Sequence, residues 1–218
     1  MSIFLLNSYV YEVADTPVER IANAEAMSFN GTDAYMTVSG NSSLVITGDL
    51  TMSMWFKANS FSDYEYILRL TGINAANQDR MIGFKSSKIS TNTYEDSSGA
   101  YDVLGNTTLS TGVWYHVAVV YSSNTVIIYL NGNADSSSIT TTMGTFTTAN
   151  PIIGLSYNNN YFDGLIDEVA IFNTALSGPK IQQIYDATAV VGGVPQTANL
   201  FTGGLDSSLV YWNRMGDS

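Results

Sequence analysis

Short segments with strand-like alternation are the feature that most constrains how this chain can fold. In the segment 50–56, Leu-Thr-Met-Ser-Met-Trp-Phe, every second residue, beginning with the leucine, is apolar. Successive side chains of a β-strand point to opposite faces, so this period is typical of a strand. Similar segments follow at 34–38, 114–121 and 126–130, separated by turn residues. The pattern predicts an all-β protein, an antiparallel sandwich or jelly roll.

Two local signals refine this prediction. Asn131-Gly132 lies between two strand-like segments, and this dipeptide supplies the positive φ angles of a tight hairpin turn. One short helix is predicted after Ser177, which can cap it, with Pro179 in its first turn. Apolar residues at helical spacing continue this segment to about Asp186.

The composition excludes several classes of function. Eight basic and 19 acidic residues give a net charge of −11, which disfavours binding to nucleic acid or to an anionic membrane surface. The chain has no cysteine, so it has neither disulfides nor thiolate chemistry. There is no apolar run of the length that inserts into a membrane, and no basic residue before Arg20 to begin a secretion signal. We expect synthesis in the cytoplasm, or a mature product.

The length favours one main domain with two appendages. Residues 25–187 hold the strand-like segments and the predicted helix. Residues 1–24 are predicted to be an N-terminal arm or an added strand, with Phe4–Val13 as the strand-like part. Residues 188–218 are predicted to be a linker and a C-terminal arm, because Gly192-Gly193 and Pro195 interrupt regular structure.

Six segments carry motifs that recur together in a known family. They are Ala26–Val38, Leu50–Lys57, Thr111–Ala118, Ile128–Gly132, Ile152–Gly154 and Phe162–Ser177. In this order they resemble the laminin-G-like family of the concanavalin A-like lectin and glucanase superfamily, and the resemblance covers roughly residues 25–186. It implies a jelly roll that serves mostly as a binding module. The chain departs from the family pattern at two positions. Ala34 stands where the family often has a second Asp, and Ala170 stands where Arg is common.

The resemblance also implies a structural calcium ion. It assigns as ligands the backbone carbonyl of Asn30 and the side chains of Asp33 and Asp167, which are the oxygen donors that calcium prefers. The alternative is that residues 30–33 form only a turn and that Asp167 accepts backbone N–H groups.

The loop Tyr-Asn-Asn-Asn-Tyr at 157–161 is the best candidate for contact with a glycan. Sugar C–H faces pack on aromatic rings, so we assign Tyr157, Asn159 and Tyr161 as candidate ligand-binding residues. The alternative is that these tyrosines pack against the sheet surface or an interface.

The sequence predicts no enzymatic activity. A glycosidase needs two carboxylates in one cleft, and the adjacent Asp167 and Glu168 should point to opposite faces of their strand. The single histidine, His116, lies within a strand-like segment without an evident nucleophile or orienting acid. We therefore expect His116 to be structural.

The tail Leu209–Asp217 resembles a segment found beside laminin-G-like domains in phage proteins. With the missing secretion signal, this favours a virion structural or decoration protein that is assembled in the host cytoplasm. Its expected partners are other virion proteins in the capsid or tail, copies of itself as a homo-oligomer, and a host surface glycan. The alternatives are a soluble or cell-surface lectin module, which would be extracellular, and a glycosidase.

Overall fold

The computed structural model describes residues 18–21, 25–38, 44–72, 80–95, 99–123, 125–136, 139–140, 148–205 and 207–215. The elements, in chain order, are β1 (Glu19–Ile21), β2 (Met27–Asn30), β3 (Met36–Thr37), β4 (Leu50–Ala58), β5 (Tyr66–Gly72), β6 (Arg80–Lys85), β7 (Lys88–Glu95), β8 (Gly99–Leu104), β9 (Tyr115–Ser122), β10 (Thr125–Leu130), β11 (Asn133–Ala134), β12 (Ile139–Thr140), β13 (Thr148–Ile153), β14 (Asp163–Phe172), α1 (Gly178–Ala187), β15 (Thr197–Asn199) and β16 (Leu209–Asn213). The predicted all-β class with one short helix is confirmed.

The strands form two large antiparallel sheets. The first has the order β11-β10-β9-β4-β14-β16, and β12 and β2 also pair with β10 and β14. The second has the order β3-β13-β5-β6-β7-β8, and β1 pairs with β15 in a separate ribbon. All the pairs are antiparallel, and several join strands that are distant in sequence, such as β4 with β9 and β14 or β5 with β13. This is the arrangement of a jelly-roll sandwich. The predicted fold class is therefore confirmed.

The main hydrophobic core lies between the two sheets. Met52, Met54 and Phe56 of β4 are fully buried there. The ring of Phe56 packs against Phe84 of β6 with 5.3 Å between centroids. The alternating residues of β4 thus fill the interior, as the strand period predicts.

The other face of β4 is buried as well. Trp55 is only 2% exposed, because its ring stacks on Tyr185 of α1 at 5.7 Å. Thr51 Oγ donates a hydrogen bond to the carbonyl of Thr174, 2.7 Å away, and accepts one from the N–H of Leu176. The helix and the segment before it therefore form a third layer over the eight-stranded sheet, with a second small core beneath it.

The two predicted local features are confirmed. Asn131 and Gly132 have φ of 49° and 80° and join β10 to β11 by a two-residue turn. The helix α1 begins after Ser177 with Pro179 in its first turn, as predicted. Ser177 caps it through its backbone carbonyl, which accepts the N–H of Lys180, while its side chain makes no capping bond.

The chain beyond the predicted main domain takes part in the same fold. β16 pairs with β14 in the eight-stranded sheet, and Met215 is completely buried in the main core. β15 pairs with β1, so the beginning of the described chain lies beside the segment that follows the helix. The described tail is therefore not a free arm, since its apolar residues complete the edge of the protein's own sheet. Residues 1–17, with the predicted strand at Phe4–Val13, lie outside the described residues, and the boundaries at 24 and 187 stay predictions.

The helix α1 has ten residues. No helix among the described residues is long and apolar enough to cross a membrane.

Candidate functional site

Three loops that cross between the two sheets lie together at one end of the sandwich. β2 ends at Asn30 opposite Asp163, and β4 ends at Ala58 opposite Gly164, so both end where β14 begins. These strands continue to β3 and β5, and β14 is reached from β13. We call the three crossover loops, residues 31–35, 59–65 and 154–162, the loop rim.

A polar cleft of about 440 Å³ opens in the loop rim between loops 59–65 and 154–162. It is lined by Asp63, Tyr64, Tyr66, Ser156, Tyr157, Asn159 and Asn160. Its two walls are joined because the Ser156 hydroxyl donates a 2.6 Å hydrogen bond to the carbonyl of Tyr64. The cleft is therefore formed by residues far apart in sequence, fixed by a direct contact.

Two tyrosines on opposite walls of the cleft are exposed but held in place. Tyr64 is 48% exposed and Tyr157 is 46% exposed. The guanidinium carbon of Arg69 lies 4.1 Å from the centre of the Tyr157 ring, and the Lys85 ammonium lies 5.1 Å from that of Tyr64. Tyr66 also meets Tyr157 edge to face at 6.0 Å. Because a cation packs on each ring, the rings are oriented without being buried.

The polar groups of the cleft are amides, hydroxyls and a carboxylate. Asp63 accepts the N–H of Ser86 at 2.7 Å, which fixes its carboxylate at the cleft wall. Lys85 forms an ion pair with Asp102, and this hydrogen bond raises the pKa of the lysine. No lysine or arginine is among the described residues that line the cleft. The arrangement can accept and donate hydrogen bonds to a neutral polar ligand.

A buried carboxyl group, Glu65, lies directly behind this wall. Glu65 is 2% exposed, and its Oε2 accepts the N–H of Ser62 at 3.1 Å, whereas its Oε1 has no hydrogen-bond partner. Burial, together with the negative charge of Asp163, raises the pKa of Glu65 to about 7. Sequence reasoning missed this residue, because nothing in its sequence context signals its burial.

The structure places two of the three predicted glycan contacts in the cleft. Tyr157 and Asn159 line it, and Tyr161 lies on the same loop but packs against Tyr35, with 6.2 Å between ring centres. Tyr64 and Asp63 on the opposite wall were not among the predicted residues. The same criterion, a tyrosine in a polar loop between strands, would have found Tyr64. Binding at these residues stays a prediction.

Two of the three predicted calcium ligands lie together, and the third lies elsewhere. Asn30 Oδ1 accepts the N–H groups of Thr32, Asp33 and Ala34, and its amide donates to Asp33 Oδ1 at 2.8 Å. Asp167 is fully buried in β14, four residues beyond the position opposite Asn30, which is about 13 Å along a strand. No group of three or more His, Cys, Asp or Glu among the described residues could hold a metal ion. These three residues therefore do not fit one calcium centre.

Asp167 and Glu168 lie on the same side of the sheet, contrary to expectation. A bulge interrupts the register of β14 here, and Glu168 has a φ of 51°. Asp167 stands opposite Trp55, which packs on the helix, and Glu168 accepts hydrogen bonds from Thr197 at 2.6 Å and Trp212 at 3.1 Å. Both carboxyl groups are buried beneath the third layer, and neither lines the cleft.

His116 is a buried residue of β9. It is 1% exposed, and its Nε2 lies 2.9 Å from Ser53 Oγ. Its ring packs between Trp55 and Tyr185, at 5.5 Å and 6.0 Å. Burial lowers the pKa of His116 to about 3, so the imidazole is neutral at ordinary pH. This environment agrees with a structural role.

The sequence and the fold were compared with known proteins. A search of curated protein sequences gave no match. Among solved structures, a heptameric SAP-like pentraxin from Limulus polyphemus superposes with a TM-score of 0.59 at 17% identity, covering 73% of this chain and 81% of that one. Domain 4 of an extracellular arabinanase from Geobacillus stearothermophilus, in complex with arabinotriose, has a TM-score of 0.58 at 21% identity, with 76% and 79% covered.

A putative carbohydrate binding protein from Bacteroides ovatus gives a TM-score of 0.60 at 17% identity, covering 92% of this chain and 53% of that one. At these identities the likenesses show the fold. The family profile described as the concanavalin A-like lectin/glucanases superfamily, of the laminin-G type, matches residues 30–182, which is more than half of the sequence. The chain therefore belongs to this laminin-G-like family.

Proposed function

We propose that this protein binds carbohydrate in the cleft of the loop rim. The observation that carries the proposal is the pair of exposed tyrosines, Tyr64 and Tyr157, each held by a cation on opposite walls of a polar cleft. Sugar rings present C–H faces that stack on such rings and hydroxyls that bind amides and carboxylates. Asp63 and Asn159 supply those polar groups beside the rings.

The chemistry of the cleft favours a glycan over other ligands. Its lining is mainly polar, whereas a cleft for an apolar ligand is lined mainly by hydrophobic side chains. The net charge of −11 opposes nucleic acid. Two structural neighbours also support the proposal, since one is a carbohydrate binding protein by description and another was solved with arabinotriose.

The proposal is binding without turnover. Asp63 is the one carboxylate among the described residues that line the cleft, whereas glycoside hydrolysis commonly uses two. We expect no release of reducing sugar from a panel of plant and bacterial polysaccharides. Measurable release that the Asp63→Asn variant loses would instead establish a glycosidase.

A glycan array probed with the full-length protein tests the proposal. We expect specific binding that the Tyr157→Ala variant weakens by about tenfold, the loss of one aromatic contact of roughly 1.4 kcal/mol. Phe201→Ala is the matched control, because Phe201 is 67% exposed and lies outside the loop rim. A blank array from folded protein, or equal weakening by both variants, would contradict the proposal.

Calcium binding stays a prediction from the family resemblance. Its support here is that the Asn30 carbonyl and the Asp33 carboxylate lie in one exposed turn. We expect a higher melting temperature with calcium than with chelator, and a smaller difference in the Asp33→Asn variant. Identical melting curves for the native protein in both conditions would remove calcium from the account.

A role as a structural or decoration protein of a virion also stays a prediction. The same holds for its location in the capsid or tail and for homo-oligomerisation. Its support is the resemblance of the tail, Leu209–Asp217, to segments beside laminin-G-like domains of phage proteins. Immunogold labelling of purified phage particles is the direct test. Labelled particles would support this role, and labelling of the cell surface or medium alone would favour the alternative, an extracellular lectin module.

A further inference from the structure

The exposed tyrosines of the protein are confined to one region. Among the tyrosines whose side chains the structure describes, Tyr35, Tyr64 and Tyr157 are the exposed ones, at 51%, 48% and 46%. Each lies on a different loop of the loop rim. The other tyrosines whose side chains the structure describes are buried or half-buried. Such clustering is not expected of tyrosines that merely fill a sheet surface.

The strand order sets these three rings in a row. Tyr35 directly precedes β3, Tyr157 follows β13, and Tyr64 lies two residues before β5. These strands are consecutive in the second sheet, where Ile153 of β13 pairs with Met36 on one side and Leu68 on the other. The three loops that carry the rings thus follow one another across two strand spacings, about 10 Å. That distance exceeds the size of one sugar ring.

Further aromatic contacts connect the row. Tyr161 packs on Tyr35 with 6.2 Å between ring centres, and Tyr66 meets Tyr157 at 6.0 Å. Tyr157 begins a short 3-10 turn and Tyr161 follows it, so the aromatic surface continues from the cleft to loop 31–35. The cleft is therefore one part of a longer aromatic surface.

The exposed charged residues within the three loops are acidic. Asp33 and Asp63 are exposed there, and the loops contain no lysine or arginine. Of the two cations that pack on the rings, Arg69 is buried and Lys85 is paired with Asp102. Asp163, at the start of β14, adds a further carboxylate behind them, held by the amide of Asn59 at 2.9 Å. Such a surface repels sugars that carry carboxylates or sulfates, because like charges at an interface are unfavourable.

We propose that the loop rim binds the interior of a neutral oligosaccharide, with successive sugar units on Tyr64, Tyr157 and Tyr35, and not a single terminal sugar. The inference rests on the proposed function and deepens it. It requires that affinity grows with the length of the glycan until all three rings are covered. It also assigns Tyr35, which lies outside the cleft, to the binding surface.

Calorimetric titration with neutral arabino-, xylo- and gluco-oligosaccharides of one to six units tests this inference. In the series that binds, affinity should rise over the first three or four units and then stay constant. Tyr35→Ala should weaken binding of the longest member by about tenfold and leave that of the shortest member unchanged. Tyr35→Phe keeps the ring and should bind like the native protein, and Phe201→Ala should have no effect.

The outcomes separate the two proposals. If a monosaccharide binds as tightly as the longer members, or if Tyr35→Ala has no effect at any length, the extended surface is refuted and the cleft proposal stands. If acidic oligosaccharides bind more tightly than neutral ones, the assignment to neutral chains is refuted. If no glycan of any length or charge binds to folded protein, both proposals fail.

Discussion

Replacing Glu65 with glutamine should remove a pH dependence of stability that the native carboxyl group creates. Glu65 is 2% exposed, one of its oxygens has no hydrogen-bond partner, and burial beside Asp163 raises its pKa from 4.5 to about 7. The neutral acid fits this position, and the carboxylate does not. Glutamine is neutral at every pH and its amide oxygen can still accept the N–H of Ser62, so the variant keeps the contact without the charge.

The sign and the magnitude follow from linkage. The unfolded chain ionises Glu65 near pH 4.5 and the folded protein near pH 7, so the free energy of unfolding falls as the pH rises between these values. A shift of this size corresponds to at most about 3 kcal/mol, and water penetration into the loop lowers this to roughly 1–3 kcal/mol. Above pH 7 and below pH 4.5 the contribution of Glu65 is constant.

Urea unfolding of the native protein and of Glu65→Gln between pH 4 and pH 8 measures this effect. We expect the two to be equally stable at pH 4 and the variant to be more stable at pH 8 by about 1–3 kcal/mol. Asp186→Asn is the matched control for the change in net charge, since Asp186 is an exposed acid of the helix and the amide oxygen of asparagine can still accept the hydrogen bond from Gln182. The reasoning is refuted if Glu65→Gln is less stable than the native protein at pH 8.

Three further predictions concern the fold. A chain that ends before β16 should lose more than about 3 kcal/mol of stability, because it lacks the buried Met215 as well as the strand. Urea unfolding measures this loss, and unchanged stability would show that the tail is dispensable. Gly132→Ala should cost about 1–2 kcal/mol, since φ is 80° there, whereas Gly48→Ala, at an open position, should be neutral. The NMR signals of the His116 imidazole should not titrate between about pH 5 and 8, because burial keeps it neutral; a midpoint near 6.5 would place the ring in solvent.

The local pattern predicted most of the architecture. Alternation in 50–56 and the Asn131-Gly132 pair depend on neighbouring residues only, and both were confirmed. Alternation alone does not tell whether the second face of a strand is solvent-exposed or covered by another layer. The polar face of β4 is covered by α1, which follows more than a hundred residues later.

The predictions differ from the structure where a strand is irregular or where it pairs with a distant segment. The bulge in β14 turns Asp167 and Glu168 to one side of the sheet, and no glycine signals the positive φ of Glu168. Gly192-Gly193 indicates a linker in the sequence, and Thr197–Asn199, a few residues later, pairs with β1. The orientation of these carboxyl groups and the position of this segment both depend on pairing between distant strands. Residue spacing in the sequence does not reveal that pairing.

The candidate site was found in part for the same reason. Tyr157 and Asn159 belong to a short polar loop that stands out in the sequence. Tyr64 lies beside them because β5 is next to β13 in the sheet. The two segments are some ninety residues apart in the sequence. The row of exposed tyrosines follows from the order β3-β13-β5, which single segments do not reveal.

NMR mapping of the full-length chain during titration with a neutral oligosaccharide tests the central claim most directly. We expect chemical-shift changes confined to residues 31–35, 59–65 and 154–162, with the largest at Tyr64 and Tyr157. Changes centred on α1 and Phe201, with none at these two tyrosines, would contradict it.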